Sequence, residues 1–308
     1  MNLLINNTKQ YTVLLGISFL LCMQLFAQTE TDAIMMNKNQ FCNGFLYGHS
    51  SWNEYWEGTL KRSNENIGTV TTQSVMYMAA YGITDKLNIL GGVPYIWTKA
   101  SAGTLHGMRG VQDLALFVKW KAVAKTFGKN TISLFAIGGF STPLANYVID
   151  FLPMSIGLGS TNLTGRGMID FQHKKLNVTG SASYIRRNNV KLDRDSYYDT
   201  ELHLTNEVKM PDAAFYQLRT GYRGKYLHAE ALVANWTTLG GFDISRNNMP
   251  FPSNRMNATT VGFSVKYTLK QLTNLSLLAG AQHTVAGRNM GASDSFNAGA
   301  FYAFYFKK

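Results

Sequence analysis

Apolar and polar side chains alternate along most of the chain, in segments of about 9 to 14 residues. In the segment 257–270, for example, Val261 and Phe263 share one face and Gly262 lies on the other. A period of two indicates β-strands with one face against an apolar medium and the other against a polar one. The last segment, 294–306, ends with an aromatic residue at every second position. This pattern is typical of strands that cross a lipid bilayer.

Twelve such segments are predicted to be strands. They are 41–56, 69–81, 86–97, 111–122, 131–142, 159–171, 176–187, 212–223, 225–236, 257–270, 273–285 and 294–306. A thirteenth segment, 198–209, also alternates, but only its omission gives an even strand number and connections that alternate between short and long. We therefore predict an all-β fold: a closed antiparallel transmembrane β-barrel of 12 strands with short periplasmic turns and long outer loops. Residues 198–209 are then a hairpin arm of the fourth outer loop.

The first 27 residues have the pattern of a secretory signal peptide. Lys9 precedes an apolar stretch at 13–26, and the small residue Ala27 suits a cleavage site before Gln28. The stretch is too short for a spanning helix, which needs about 20 residues. We predict a signal peptide at 1–27, an N-terminal periplasmic tail at 28–40 and an outer-membrane barrel at 41–308. The expected location is the bacterial outer membrane, after removal of the signal peptide.

The chain is basic, with a formal net charge of +11. Its basic residues are scattered and form no cluster, so nucleic acid is not an expected partner. Outer-membrane lipid and the phosphates of lipopolysaccharide are the expected partners of the outer loops, together with a small-molecule solute inside the barrel. The basic residues of these loops are Lys61, Arg62, Lys99, Arg109, Lys191, Arg194, Arg246, Arg255 and Arg288. No cofactor, metal site or catalytic group is predicted, and the oligomeric state stays open.

The polar face of each predicted strand should point into the lumen. Its titratable residues are Asp113, Lys119, Lys121, Arg166, Asp170, Arg187, Arg219, Arg223, His228, Glu230 and Lys266. Apart from the histidine, basic residues outnumber acidic ones by seven to three. This excess favours anions in a passage, although a polar interior held by mutual ion pairs has the same composition.

One lumenal ion pair is predicted from a turn. Gly224 and Lys225 suit a two-residue hairpin turn with glycine first. The resulting register places Arg219 opposite Glu230, so that the two side chains form a cross-strand ion pair.

Three stretches resemble a known family: 81–95 (YGITDKLNILGGVPY), 107–110 (GMRG) and 112–119 (QDLALFVK). They are similar to outer-membrane proteins named for the meta-cleavage pathway of phenol degradation. The chain departs from the family at Gly110-Val-Gln-Asp113, where a tighter Gly-Asp is expected. The resemblance implies an outer-membrane barrel that passes hydrophobic or aromatic compounds. Gly82 and Asp85 also suit a tight periplasmic turn.

The predicted function is a channel or transporter for small molecules, either hydrophobic or aromatic compounds or anions. The alternative is a closed structural or surface-binding barrel, which would depend on whether loops 143–158 and 188–211 or residues 28–40 fill the lumen. An outer-membrane lipid hydrolase is a further alternative, with His49, Ser50, His203 and His283 as its only candidate groups. Adjacent residues on a strand point to opposite faces, so His49 and Ser50 cannot form a dyad. We expect the chain not to be an enzyme.

Overall fold

The computed structural model describes residues 28–244 and 249–306. The predicted signal peptide and Arg246 lie outside this part of the chain. Among the described residues, no helix has the length and apolar character needed to cross a membrane.

Twelve long strands form the wall of the molecule. In chain order they are β1 (Gln40–Trp52), β2 (Val70–Thr84), β3 (Leu87–Ala100), β4 (Asp113–Phe127), β5 (Asn130–Pro143), β6 (Asn162–His173), β7 (Leu176–Arg187), β8 (Ala213–Arg223), β9 (Leu227–Thr238), β10 (Asn257–Thr268), β11 (Leu275–Arg288) and β12 (Asp294–Tyr305). Each strand pairs antiparallel with its neighbours in sequence, and β1 also pairs with β12. The sheet is therefore closed, which confirms the predicted fold and strand number.

Closure gives each barrel strand a partner on both sides, as a membrane-spanning sheet requires. Exposed apolar side chains cover the outer surface, among them Phe45, Leu163, Ile169, Leu218 and Phe263. The alternate positions of the same strands carry the buried polar residues. The wall thus has the apolar outer belt and polar interior of a transmembrane barrel.

The connections at one end of the barrel are short. At the β4–β5 turn Gly128 has a φ of 61°, and at the β6–β7 turn Lys174 has a φ of 54°. The left-handed conformation lets the chain reverse within a few residues, and glycine adopts it at little cost. The opposite end carries the long loops.

Two predicted segments are built differently from a simple strand. The first strand ends at Trp52 rather than at residue 56, because Glu54–Glu57 pairs with Leu60–Ser63 in a separate hairpin. The arm at 198–209 lies in the fourth outer loop, as expected, where Val190–Lys191 pairs with Glu207–Val208 and Tyr197–Tyr198 pairs with Leu202–His203.

The predicted register of β8 and β9 is wrong. The amide of Gly224 donates to the carbonyl of Leu227 at 2.8 Å, so Lys225 and Tyr226 are the central residues of the turn. Glu230 consequently pairs with Gly221 instead of with Arg219. A shift of two residues keeps each side chain on its face, so both charged groups still point inward.

Candidate functional site

Residues 28–36, which we name the plug, lie inside the barrel. Lys119 on β4, with a fully buried side chain, donates from Nζ to Oδ1 of Asp32 at 3.1 Å. The same ammonium donates to the carbonyls of Thr29 at 2.9 Å and Ile34 at 3.0 Å. The plug thus surrounds this lysine with three oxygen acceptors. The sequence predicted a periplasmic tail at 28–40. This prediction is wrong for residues 28–36, which lie inside the barrel.

Two further cations of the wall hold the plug. Nη1 of Arg166 on β6 donates to the carbonyl of Glu30 at 2.8 Å. Nη1 of Arg219 on β8 donates to Oγ1 of Thr31 at 3.1 Å. A lumen rich in buried cations requires acceptors nearby, since an uncompensated buried charge is costly. The plug supplies these acceptors, which is the physical reason that it lies in the barrel rather than in the periplasm.

Apolar contacts anchor the end of the plug that leads into β1. Met36 is fully buried against a cluster of wall residues that includes Leu90 and Phe301. Met35 packs on a second cluster that includes Phe135 and Met168. Full burial of a methionine side chain, as at Met36, contributes about 1.5–3 kcal/mol.

The plug leaves the lumen across the short-turn end of β2. The amide of Asn39 donates to the carbonyl of Gly82 at 2.8 Å, and the amide of Lys38 donates to Oδ1 of Asp85 at 2.9 Å. A Cβ atom at Gly82 would lie 2.0 Å from the carbonyl oxygen of Asn37, so glycine is required for this close approach. The residues predicted to form a tight turn therefore also position the exit of the plug.

A network of ion pairs lies beside the plug on β6, β8 and β9. Arg223 contacts Asp170 through Nη1 and Glu230 through Nη2, both at 2.8 Å. Nε of Arg219 lies 3.0 Å from Oε2 of Glu230, diagonally across the strand pair. Thr179 donates to Asp170 at 2.6 Å and so ties β7 to the network. All of these charged side chains are buried.

All eleven candidate lumen residues lie on the inner side of the wall. Arg166, Lys119 and Arg219 touch the plug, and Lys121, Asp170, Arg223 and His228 border a cavity of about 520 Å³ at the short-turn end. Lys266 and Glu230 line a second cavity, of about 180 Å³, between the plug and the wall. Asp113 and Arg187 lie at the outer-loop end, where Nε of Arg187 donates to the carbonyl of Pro211.

The outer loops pack against one another and form a cap, which we define as the buried cluster of Ile149, Val190, Leu192, Tyr197, Val208, Met210 and Phe251. The loop at 144–161 reaches the wall, because Oγ1 of Thr98 donates to the carbonyl of Met154 at 2.7 Å. The loops 143–158 and 188–211 thus share one apolar core above the lumen.

Tyr147 fastens the cap to the barrel. Its hydroxyl donates to Oδ1 of Asp113 at 2.7 Å and accepts from the amide of Gly159 at 3.0 Å. Burial and the neighbouring carboxylate raise the pKa of Tyr147, so the hydroxyl stays a donor through neutral and mildly alkaline pH.

Replacing Tyr147 by phenylalanine should loosen this loop. The variant loses both hydrogen bonds, and the partly buried carboxylate of Asp113 loses the donor that Tyr147 supplied. The loss should reduce the local stability of the loop by about 1–3 kcal/mol. Hydrogen exchange of the Gly159 amide should accelerate correspondingly. Tyr198→Phe, at an exposed position of the fourth outer loop, is the matched control. Unchanged exchange at Gly159 in the Tyr147 variant would contradict the fastening role.

Basic residues of the outer loops commonly have acidic partners within the protein. Lys61 contacts Glu54 at 2.6 Å and Arg62 contacts Glu57 at 2.9 Å. Arg194 pairs with Asp150 and Arg288 with Asp243. These contacts reduce the positive charge that the loops offer to lipopolysaccharide, which stays a predicted partner.

The hydrolase candidates do not assemble into a serine–histidine pair among the described residues. Nδ1 of His283 lies 2.7 Å from Oδ1 of Asp294, on the outer face of the barrel. Ser50 on β1 pairs with Ser295 rather than with Asp294, and the ring of His49 stacks on Phe296. His203 stacks on Tyr197 in the cap.

The plug is the part of the site that the sequence pattern did not reveal. Its residues show no period of two, and a short N-terminal stretch before the first strand is commonly a tail. A signal was nevertheless present. The excess of basic over acidic residues on the inner face requires negative charge from elsewhere, and Glu30 and Asp32 carry it.

Comparison with known proteins places the fold. The COG4313 outer membrane channel from Pseudomonas putida F1 superposes with a TM-score of 0.71 and 14% sequence identity, over 91% of this chain and 100% of that chain. The translocator domain of autotransporter NalP from Neisseria meningitidis gives a TM-score of 0.46 at 9% identity, over 97% and 96% of the two chains. The NanC porin gives 0.42 at 9% identity, over 85% of this chain and all of the other.

The protein therefore shares the barrel fold of the COG4313 outer membrane channel. Its own barrel has 12 strands and holds a plug in its lumen. No protein-family model matches the chain, and no curated protein matches it either. The resemblance to the family named for phenol degradation thus stays a prediction.

Proposed function

We propose that this protein is an outer-membrane channel for small molecules, closed in the present conformation by its plug. The observation that carries the proposal is a polar, cation-rich lumen, inside a wall with an apolar outer belt, that is filled by one short segment of chain. The segment is attached to the wall by hydrogen bonds, an ion pair and apolar contacts. Each of these interactions is reversible.

The size of the barrel supports a passage. Side chains alone fill the interior of a barrel of about eight strands, whereas more strands enclose more space. Here the additional space holds the plug and two cavities, of about 180 Å³ beside it and about 520 Å³ below it. Displacement of residues 28–36 would join these spaces into a polar passage.

The charge of the wall favours anions. Around the plug the wall presents Lys119, Arg166, Arg219, Arg223 and Lys266, against Asp170 and Glu230 as acids. Rings of basic side chains select anions in pores because they lower the electrostatic barrier for negative solutes. A passage through this wall should therefore carry anions better than cations of similar size.

The first test is electrical. Protein without residues 28–36, refolded into a planar bilayer with a potassium chloride gradient across it, should give a reversal potential close to the equilibrium potential of chloride. Replacing both Lys119 and Arg219 by glutamine should move the reversal potential towards the equilibrium potential of potassium, since two cations of the wall are lost. Exposed Lys129→Gln is the matched control for a change of lysine. Cation preference of this shortened protein, without the two substitutions, would contradict the proposed role of the wall.

The apolar cap of the outer loops supports a second candidate, a closed barrel that acts through its outer surface. Ile149, Tyr197 and Phe251 hold three loops together over the mouth. This candidate predicts no conductance under any condition, including after removal of the plug. The channel predicts conductance once the plug is displaced.

A further inference from the structure

The cavity beside the plug has two chemically different sides. Its basic side consists of Arg219, His228 and Lys266 on β8, β9 and β10. Its apolar side includes Leu278 and Phe301 on β11 and β12, with Leu46 and Met78 on the next two strands. Asp32 of the plug forms part of the remaining boundary.

The change from basic to apolar occurs within one row of paired residues. Arg223 pairs with His228, His228 with Lys266, and Lys266 with Leu278. The row continues through Gly299 to Leu46. Neighbours in such a row lie about 5 Å apart, so the charged and apolar sides are within reach of one small molecule.

The glycine in this row lets Leu46 keep its place on the apolar side of the cavity. Gly299 faces the lumen, and an added Cβ would lie 2.9 Å from a side-chain carbon of Leu46 and 2.6 Å from the carbonyl oxygen of Phe45. Any side chain at this position would displace Leu46, which lines the cavity, or the strand beside it.

We propose that this cavity binds a short-chain monocarboxylate. The carboxylate would accept hydrogen bonds from Lys266 and Arg219, and the hydrocarbon tail would lie against Leu278, Phe301 and Leu46. The volume of about 180 Å³ suits such a molecule, because an apolar cavity of about 150 Å³ accommodates benzene. This inference rests on the proposed channel function and names the class of solute.

Asp32 relates the site to the plug. Its carboxylate lies on the cavity boundary and is held by Lys119. A bound carboxylate would repel Asp32 and compete for the cations that attract the plug. The plug is then a tethered competitor of the solute. Asp32→Asn should therefore bind the monocarboxylate more tightly than the unaltered chain.

Methionine methyl groups give a local readout of binding. Met78 lines the cavity, whereas Met249 is exposed on an outer loop. Hexanoate titrated into the full chain, labelled with ¹³C at its methionine methyl groups, should shift the Met78 resonance in a saturable way and leave Met249 unchanged. Acetate has the charge without the tail, and hexanol has the tail without the charge. Both should bind at least about tenfold more weakly, because each lacks one half of the interaction.

Variants assign each half to its residues. Lys266→Gln should weaken hexanoate roughly tenfold or more, Lys266→Arg should retain it, and Lys129→Gln should have no effect. Leu278→Asn should weaken hexanoate and leave acetate unaltered, which tests the site even if Lys266→Gln does not fold. Equal binding of hexanol would mean a purely apolar cavity and would overturn the proposal. Equal binding of acetate, or no response of Met78, would overturn it as well.

The binding measurement requires no transport. If the protein without the plug does not conduct while the Met78 resonance still responds to hexanoate, the channel function is refuted and the binding site is retained. If the protein conducts and the Met78 resonance does not respond to hexanoate, the binding site is refuted and the channel function is retained.

Discussion

Removing residues 28–36 should convert the protein from a closed or briefly opening state to a steadily conducting one. We expect the mean conductance in planar bilayers to rise on the order of tenfold, because the segment that occupies the polar lumen is gone. The five cations of the wall then face water and permeating ions, so the anion preference should increase together with the conductance.

The same segment supplied as a peptide provides a sharp control. A peptide of residues 28–36, added on the short-turn side, should block the shortened channel, since Lys119, Arg166 and Arg219 remain to bind it. The peptide with asparagine in place of Asp32 should block more weakly, because it lacks the ion pair with Lys119. A shortened protein that folds correctly and still does not conduct would refute the plug as the closing element, and would favour the closed barrel.

Replacing Arg223 by glutamine should destabilise the barrel strongly, because this side chain joins both acids of the inner network. The guanidinium contacts Asp170 and Glu230 at 2.8 Å and also donates to Thr179 at 2.9 Å. Without it, a buried carboxylate on β6 loses its salt bridge. Removal of one partner from a buried pair costs about 3–5 kcal/mol in the free energy of unfolding. The lower part of this range is expected, because Arg219 still faces Glu230.

Urea unfolding in lipid vesicles, followed by tryptophan fluorescence, measures this free energy. The matched control is Arg62→Gln, which removes a 2.9 Å contact with Glu57 in the outer hairpin. The Arg62 side chain is 38% exposed, against 8% for Arg223, so its loss should cost no more than about 1 kcal/mol. Equal losses for the two arginines would show that the inner network does not stabilise the barrel.

The period of two was sufficient to predict the wall, because each strand of a membrane barrel has lipid on one side and a polar lumen on the other. This constraint acts on every residue of β10 or β12, and it placed the strand boundaries within a few residues of those observed. It also separated the inner from the outer face at each position. The inward placement of Arg219 and Glu230 therefore held even though their register was wrong.

The errors arose where no such constraint acts. Whether Gly224 or Lys225 begins the turn is decided by a few hydrogen bonds, and both possibilities keep the same faces. The plug has neither regular secondary structure nor a lipid-facing side, so its sequence carries no period. Its position follows from the basic residues of the wall. These residues lie far apart in the sequence and come close together only when the strands form the barrel.

The plug also has a mechanical consequence. Hydrogen bonds in the wall join neighbouring strands only, so a closed sheet resists stretching around its circumference better than it resists flattening. Residues 28–36 contact Lys119 on β4, Arg166 on β6 and Arg219 on β8, and Asn37 just beyond them donates to the hydroxyl of Tyr305 on β12. These contacts connect separate parts of the wall through the lumen and so keep the cross-section round. A barrel without these contacts should flatten more readily under lateral pressure. The thickness and tension of the surrounding bilayer would then influence the shape of its opening.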